Sequence, residues 1–304
     1  MEIINLVYKK SLDEQRLDKY LAVELEDVTR SYVQMLIKDG FVLVNGKPEK
    51  ANYILKDKDV IDVTIKDLEE VDIIAQDIPL DIVYEDSDII VINKPSGMVV
   101  HPGAGNYQDT LVNALMYHCT DLSGINGEIR AGIVHRIDKD TSGLLVACKN
   151  DFAHRNLSIQ FSEKKVTKKY IAICSGVISH NLGKIDAPLA RDPKNRQQMS
   201  VQEGGKTAIT NFKVIERFKK HTLIEVLLET GRTHQIRVHM KYIGYPIVGD
   251  PIYGYRSEVD PEHGQYLHAK ELSFYHPRTG ELLSFSAPLP DYFEKKIEQL
   301  RKEE

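Results

Sequence analysis

The hydrophobic spacing of this 304-residue chain changes repeatedly between a period of two and a period of 3.6, and no regular strand–helix–strand unit recurs. From residue 81 onward, short apolar runs bounded by turn residues dominate, with one helical stretch at 109–119. This alternation is typical of a mixed, mostly antiparallel sheet with helices rather than of a parallel α/β fold. We therefore predict an α+β domain. Its predicted buried strands are 89–93, 144–148 and 170–174, and the stretches 222–229 and 282–288 are predicted to continue the sheet.

A smaller unit precedes this domain. The apolar residues of 16–26 have helical spacing, and a second helix is predicted between an N-cap at Thr29 and a terminating Gly40. The Asn45-Gly46 pair that follows indicates a tight β-hairpin. The predicted organisation is a small α/β unit, an acidic linker and the large α+β domain, at residues 1–70 (core about 15–65), 71–80 and 81–304.

Composition restricts the class of partner. The chain has 40 basic and 45 acidic residues and a formal net charge of −5, so a nucleic-acid site would have to be a local basic patch. It contains no run of 18 apolar residues and no signal-peptide pattern, so we expect no membrane partner and a cytoplasmic location. The three separated cysteines form no CxxC pair, which indicates reduced thiols in the packed interior.

Familiar cofactor and nucleophile motifs are missing from the sequence. We find no GxxxxGK phosphate loop, no GxGxxG, no HExxH and no GxSxG. These absences argue against ATP-driven, dinucleotide-dependent and zinc-dependent chemistry. We therefore expect neither a cofactor nor a metal.

Two stretches concentrate functional groups, 135-HRIDKDTSG-143 and 228-LETGRTHQIRVHMKYIGYPIVGD-250, and 94-KPSGMVVHPG-103 is a weaker third. In one interpretation Asp138 caps a turn and the arginines make surface ion pairs. In the other, Asp138 is a carboxylate nucleophile that an arginine keeps ionised, suited to attack on a sugar C1′. Hydrolytic glycosidases usually need a second carboxylate, and the nearest one, Asp140, is expected to face away from Asp138.

The same stretches resemble a known family. HRIDKDTSGLLV is similar to the HRLDxxTSGLL signature of the RluA/RluD-type pseudouridine synthases, and KPSGMVVHPG, KKYIAI and GRTHQIRVHM match further segments of that family in the same order. The resemblance covers about residues 15–289. One departure is Ile137, where the family usually has Leu; this change of shape affects no chemical group.

The resemblance implies an enzyme that breaks the N1–C1′ bond of a uridine in RNA, turns the uracil and joins C5 to C1′, without a cofactor. Asp138 corresponds to the catalytic aspartate, which either attacks C1′ or removes a sugar proton. Tyr170 corresponds to a tyrosine that stacks on the flipped base and assists loss of the C5 proton. Arg237 is assigned as the cation that keeps Asp138 ionised, with Arg232 as the alternative or as a phosphate contact. Arg136 is implied to enter the space left by the flipped nucleotide.

The N-terminal unit resembles an S4-type RNA-binding domain, on the segments RLDKYLA, TRSYVQMLIKDG and VLVNGKP. By that resemblance, Arg30, Lys38 and Lys47 would contact RNA phosphates. Residues 1–70 contain 11 basic and 15 acidic side chains, which leaves a protein-binding module as the alternative.

The leading hypothesis is a monomeric RNA pseudouridine synthase that acts on large-subunit ribosomal RNA or on a pre-ribosomal particle. Transfer RNA is an alternative target. A non-catalytic RNA-binding or ribosome-assembly protein, and a nucleoside or glycoside hydrolase, are alternatives of a different class.

Overall fold

The computed structural model describes residues 2–8, 15–25, 30–65, 73–103, 106–125, 131–193, 195 and 198–303. The chain divides into two compact units, Met1–Asp72 and Ile73–Glu304. No helix in the described part of the chain is long and apolar enough to cross a membrane.

The first unit combines two helices with a four-stranded antiparallel sheet in the order β1-β4-β2-β3. Its elements are β1 (Glu2–Val7), α1 (Leu17–Glu24), α2 (Arg30–Lys38), β2 (Val42–Val44), β3 (Lys47–Pro48) and β4 (Val60–Ile65). Apolar residues from both helices and from the sheet form one core. The two predicted helices and the predicted hairpin, β2 with β3, are therefore present, and β1 was not predicted from the sequence.

Local turn chemistry explains the shape of this unit. Gly40 has φ 80° and ends α2, and the backbone N–H of Phe41 donates to the Leu36 carbonyl across that end at 2.9 Å. Asn45 and Gly46 have φ 52° and 74°, as a two-residue hairpin turn requires. The predicted N-cap of α2, Thr29, lies outside the described residues.

The segment expected to be a linker, 71–80, is divided between the two units. Residues 71 and 72 lie outside the described residues, whereas 73–80 belong to the second unit. Ile73 is buried there in the main core, and the Gln76 side chain donates to Asp109 at 3.1 Å. These residues therefore pack as part of the larger unit.

The second unit is built on a nine-stranded sheet with the path β5-β6-β7-β14-β8-β13-β12-β9, and β15 pairs with β14. Among the described strands of this sheet, β7 and β14 pair in parallel and the other neighbours are antiparallel. The prediction of a mixed, mostly antiparallel α+β domain is confirmed. The strands are β5 (Ile82–Glu85), β6 (Ile89–Lys94), β7 (Ser142–Cys148), β8 (Thr167–Ser175), β9 (Leu182–Asp186), β12 (Ile209–Arg217), β13 (His221–Leu228), β14 (Leu267–Tyr275) and β15 (Leu282–Ser286), with a separate pair β10 (Leu189–Arg191) and β11 (Met199–Val201).

Helices cover both faces of the central strands. They are α3 (Leu111–His118), α4 (Asp151–Ser162), α5 (Gln235–Tyr242) and α6 (Asp291–Lys302). Along β7, Leu145 packs in the core that includes α3 and α5, whereas Leu144 and Val146 pack in the core that includes α4. Burial on both faces explains why β7 is a continuous apolar run instead of an alternating one. The first residues of β7, directly after Asp138 in sequence, are thus packed on both faces.

Candidate active site

Asp138 lies in a tight turn just before β7. The backbone N–H of Thr141 donates to the Asp138 carbonyl at 3.1 Å, which closes a four-residue turn. Gly143, the second residue of β7, has φ 109°, and a Cβ atom there would collide with the backbone of Ala269 on β14. Because of the turn, Asp140 points elsewhere and lies against Gly264, outside the pocket that Asp138 lines. The Asp138 turn therefore presents a single carboxylate to the pocket.

A buried lysine fixes the position of this turn. Lys94, at the end of β6, is fully buried, and its Nζ donates to the carbonyls of Pro95, Met98 and Lys139 at 2.7, 2.8 and 2.9 Å. Burial lowers the pKa of Lys94 to about 7, against the opposing pull of the carboxylates of Asp140 and Asp138. The three carbonyls use all three donors of the protonated ammonium. Lys94 therefore ties the Asp138 turn to the end of β6.

Arg237 joins two carboxylates. It lies in the first turn of α5, and its Nη1 donates to Asp138 Oδ2 at 2.9 Å. Its Nε and Nη2 donate to Asp250 Oδ2 and Oδ1 at 2.7 and 2.9 Å, a bidentate pair. The side chains of Asp250 and Arg237 are 0% and 4% exposed, whereas that of Asp138 is 17% exposed. The pair is therefore anchored in the interior and ends at one accessible carboxylate.

The electrostatics of these groups favour fixed charges. Burial acts against the ionised form of Asp250, but hydrogen bonds from Arg237 and from the backbone of Tyr253 and Ile252 outweigh it and lower the pKa of Asp250. Burial likewise acts against the charge on Arg237, and the two carboxylates outweigh it, which raises the pKa of Arg237. The Arg237 guanidinium also lies 5.1 Å from the centre of the Tyr253 ring. Arg237 therefore remains a cation beside Asp138.

Tyr170 on β8 lines the same pocket and is 7% exposed. Burial, with the nearby negative charge of Asp138, raises the pKa of Tyr170. At neutral pH its side chain is therefore a neutral phenol with an apolar ring, placed close to the Asp138 carboxylate.

His234 and Arg136 complete the surroundings of Asp138. His234 precedes α5 with φ 55°, its Nε2 is 3.9 Å from Asp138 Oδ1, and its Nδ1 is 2.9 Å from the Tyr253 hydroxyl. Burial lowers the pKa of His234 although Asp138 opposes this effect. Arg136 is exposed, and its Nη1 is 3.3 Å from His101 Nε2. A neutral imidazole and a solvent-facing guanidinium thus flank the carboxylate.

The pocket has a volume of about 430 Å³, and it brings together five of the eight residues predicted from the sequence. These are Asp138, Tyr170, Arg237, Arg136 and Arg232. Arg232 is exposed and its Nε donates to the Thr207 carbonyl at 3.0 Å, so Arg237 and not Arg232 is the arginine that contacts Asp138.

The other three predicted residues belong to the first unit. Lys38 and Lys47 are exposed, and Lys38 borders a groove of about 730 Å³ that also includes Lys50 and Tyr53. Arg30 begins α2, but its side chain lies outside the described residues. The two lysines are therefore accessible to a partner of the first unit.

Two residues of the site were not predicted from the sequence. Asp250 closes a buried run, 246–249, and the sequence signal was a charged residue directly after four apolar or small ones, before Pro251. Lys94 was noticed only as part of a loop. Because both act through buried contacts that form only when the chain folds, local spacing did not assign them.

Two protein-family models match parts of this chain. The family model described as RNA pseudouridylate synthase matches residues 88–242, and that of the S4 domain matches 15–61. An uncharacterized RNA pseudouridine synthase of Bacillus subtilis (strain 168) is 55% identical over 302 residues, 99% of each chain. Ribosomal large subunit pseudouridine synthase D of Neisseria meningitidis serogroup A is 45% identical over 305 residues, 95% of this chain and 79% of that protein.

A solved structure shares the fold of the second unit. Human RNA pseudouridylate synthase domain containing 1 superimposes with a TM-score of 0.58 at 26% identity, over 73% of this chain and 95% of that one. With a family model that spans half of the sequence and relatives matched along almost its whole length, the chain belongs to the RNA pseudouridine synthases, isomerases of uridine in RNA, and carries an N-terminal S4 domain.

Proposed function

We propose that this protein converts specific uridines of large-subunit ribosomal RNA to pseudouridine, with Asp138 as the catalytic carboxylate. The observation that carries the proposal is the buried Asp250–Arg237 pair, which ends in a hydrogen bond to the partly exposed Asp138 carboxylate in the pocket. A carboxylate fixed by a buried cation at the wall of a pocket is suited to a ribose carbon at which positive charge develops.

The reaction balances without a co-reactant. The N1–C1′ bond breaks, the C5–C1′ bond forms, C5 loses a proton and N1 regains one, so no cofactor is needed. Asp138 has two possible roles in this scheme, attack on C1′ or removal of a sugar proton. Both need an ionised carboxylate with one oxygen free, and Arg237 occupies Oδ2 while leaving Oδ1 accessible to the sugar.

Tyr170 and Arg136 have different proposed roles. The Tyr170 ring stacks on the uracil, and its neutral phenol assists the transfer of the C5 proton instead of acting as a free phenolate. Arg136, exposed at the edge of the pocket, enters the space that the flipped nucleotide leaves. Flipping costs a few kcal/mol of stacking, which such an inserted side chain helps to offset.

The assignment of the RNA rests on the relatives and on the first unit. The Neisseria meningitidis relative is named for the ribosomal large subunit, and the S4 domain supports binding to structured RNA. We propose that Arg30, Lys38 and Lys47 contact phosphates and that Arg232 does so beside the pocket. The protein is proposed to work as a cytoplasmic monomer, because one chain contains both an RNA-binding unit and a complete pocket.

The experiment is to incubate the purified protein with unmodified large-subunit ribosomal RNA, without metal or nucleotide, and to map pseudouridine at single-base resolution. Unmodified transfer RNA is tested in parallel. Discrete sites in the ribosomal RNA are the expected result. Pseudouridine in transfer RNA alone would show that transfer RNA, and not ribosomal RNA, is the substrate. No pseudouridine in either RNA, or release of free uracil, would contradict the proposed reaction.

A further inference from the structure

Lys168 lines the pocket and takes no part in the proposed reaction. It lies on β8 two residues before Tyr170, so the two side chains project to the same side of the strand, and both line the pocket. Its Nζ is 5.5 Å from the centre of the Phe161 ring, and a Cβ added to Gly231 would lie 3.3 Å from it. The ammonium is thus held between the end of α4 and the segment before α5.

The Lys168 ammonium lacks hydrogen-bond acceptors within the described part of the chain. Among the hydrogen bonds and ion pairs of the described residues, no carboxylate or carbonyl accepts from Lys168 Nζ, whereas Lys94 Nζ has three carbonyl acceptors. Desolvation lowers the pKa of Lys168. A half-buried cation without an acceptor is costly, and such groups are usually explained by a ligand.

The wall around Lys168 positions the cation without neutralising it. The His135 ring stacks on Phe161 with centroids 4.6 Å apart, and its Nε2 accepts from the Val146 backbone at 3.0 Å. Burial, and next the positive charge of Lys168, lower the pKa of His135 to about 3, so this imidazole stays neutral. Both carboxylates that line the pocket have other partners: Asp138 accepts from Arg237, and Glu229 pairs with Lys184 and accepts from Asn211. The missing partner of Lys168 must therefore come from outside the chain.

We propose that Lys168 binds a phosphodiester group of the flipped target nucleotide. The inference rests on the proposed function, which puts the ribose at Asp138 and the uracil against Tyr170. Lys168 lies beside Gly231, on a side of the pocket where Gly231 and Arg232 are exposed, while Tyr170 is buried. A phosphate on the same ribose lies on the solvent side of the base, and it supplies the negative charge that an unpaired ammonium lacks.

The test compares four variants on the ribosomal RNA that the wild-type protein modifies, measuring kcat/KM for pseudouridine formation over a range of KCl concentrations. For Lys168→Met and Lys168→Gln, kcat/KM is expected to fall by about tenfold. Their plot of log kcat/KM against log salt concentration is expected to be shallower by about 0.7. Lys168→Arg keeps the charge and is expected within about threefold of wild type. Lys169→Met is the matched control, because the adjacent Lys169 pairs with Glu271 and is not among the residues that line the pocket.

Other outcomes would overturn the inference. A wild-type kcat/KM in Lys168→Gln would indicate that Lys168 binds a neutral acceptor such as a uracil oxygen. A lower melting temperature of the Lys168 variants with an unchanged salt slope would indicate a structural role. Wild-type kcat/KM and slope in Lys168→Met would remove Lys168 from RNA binding while leaving the proposed function intact. A wild-type protein that forms no pseudouridine would instead contradict the proposed function, and this inference with it.

Discussion

Arg237 contacts two carboxylates that differ in exposure: Asp250 is buried, and Asp138 is partly exposed at the pocket. With Asp250 it forms a bidentate pair in the interior, which leaves one guanidinium nitrogen for Asp138 at the pocket. One positive charge shared by two negative charges keeps the guanidinium ionised, and the rigid bidentate pair fixes its direction. We therefore expect Asp250 to act on the reaction through Arg237, although it does not line the pocket.

The first prediction concerns Asp250→Asn. This change removes a buried negative charge and one acceptor of the bidentate pair, so we expect the free energy of unfolding to fall by about 3 kcal/mol. Because Arg237 loses its anchor, kcat is expected to fall by about tenfold to a hundredfold, with RNA affinity little changed. Denaturant unfolding and single-turnover kinetics measure the two effects.

Glu216→Gln is the control for Asp250→Asn. Glu216 forms a bidentate pair with Arg301 at 2.9 and 2.7 Å, but on the surface, so its loss is expected to cost less than about 1 kcal/mol and no activity. Equal unfolding free energies and equal kcat values for Asp250→Asn and Glu216→Gln would contradict the role given to Asp250.

At the scale of elements, the close approach of β7 and β14 depends on Gly143. These strands pair in parallel at Ser142 and Gly143, directly after the Asp138 turn. The positive φ of Gly143 excludes ordinary side chains, and a Cβ would meet the backbone of Ala269. Neither strand can shift easily, because each has another strand on its far side.

The second prediction is that Gly143→Ala destabilises the protein by about 3 kcal/mol, from backbone strain together with the steric overlap. Gly280→Ala is the matched control: Gly280 has φ 72° but no atom within 4 Å of an added Cβ, so only the strain of about 1 kcal/mol is expected. Thermal unfolding of both variants measures the difference. Similar melting temperatures would show that the approach of β14 does not depend on Gly143.

Local patterns predicted many elements but not their arrangement. The five predicted strands coincide with β6, β7, β8, β13 and β15, because apolar runs and turn residues are local signals. The position of β14 between β7 and β8 could not be predicted, because its pairs join residues 95 to 126 positions apart. The helix α4 and the strand β12 were missed as well, since their apolar residues are interrupted by polar ones on the solvent side.

The same distinction applies to the candidate site. The motif around Asp138 and the segment that contains Arg237 were recognised as dense clusters of functional groups, and the structure has them in contact. Asp250 and Lys94 were not predicted, because their importance comes from hydrogen bonds that form only in the folded chain, to Arg237 and to the Lys139 carbonyl. Lys168 belongs to the segment KKYIAI but was given no role, since its missing acceptor is a property of the folded pocket.

At the scale of the whole molecule, the two units have separate hydrophobic cores. The pocket, with all the residues that line it, is in the second unit. Each unit therefore contains what it needs to fold, and RNA affinity and chemistry are expected to be separable.

The third prediction is that a protein of residues 73–304 folds with an intact pocket but binds ribosomal RNA more weakly. We expect its affinity to depend less on salt: the plot of log affinity against log salt concentration should be shallower by about 0.7 for each phosphate contact that is lost. The double variant Lys38→Ala, Lys47→Ala in the full chain is expected to show part of this change. Unchanged affinity and slope in both proteins would refute the RNA contacts proposed for the S4 domain.

The most direct test of the whole account is the rate of pseudouridine formation by Asp138→Asn compared with Asp140→Asn, each bound to unmodified large-subunit ribosomal RNA in a single turnover. The two aspartates belong to one turn, but only Asp138 lines the pocket. The account predicts a loss of at least about 1,000-fold for Asp138→Asn with RNA affinity within a few-fold, and nearly full activity for Asp140→Asn. Pseudouridine formation by Asp138→Asn at the wild-type rate would contradict it.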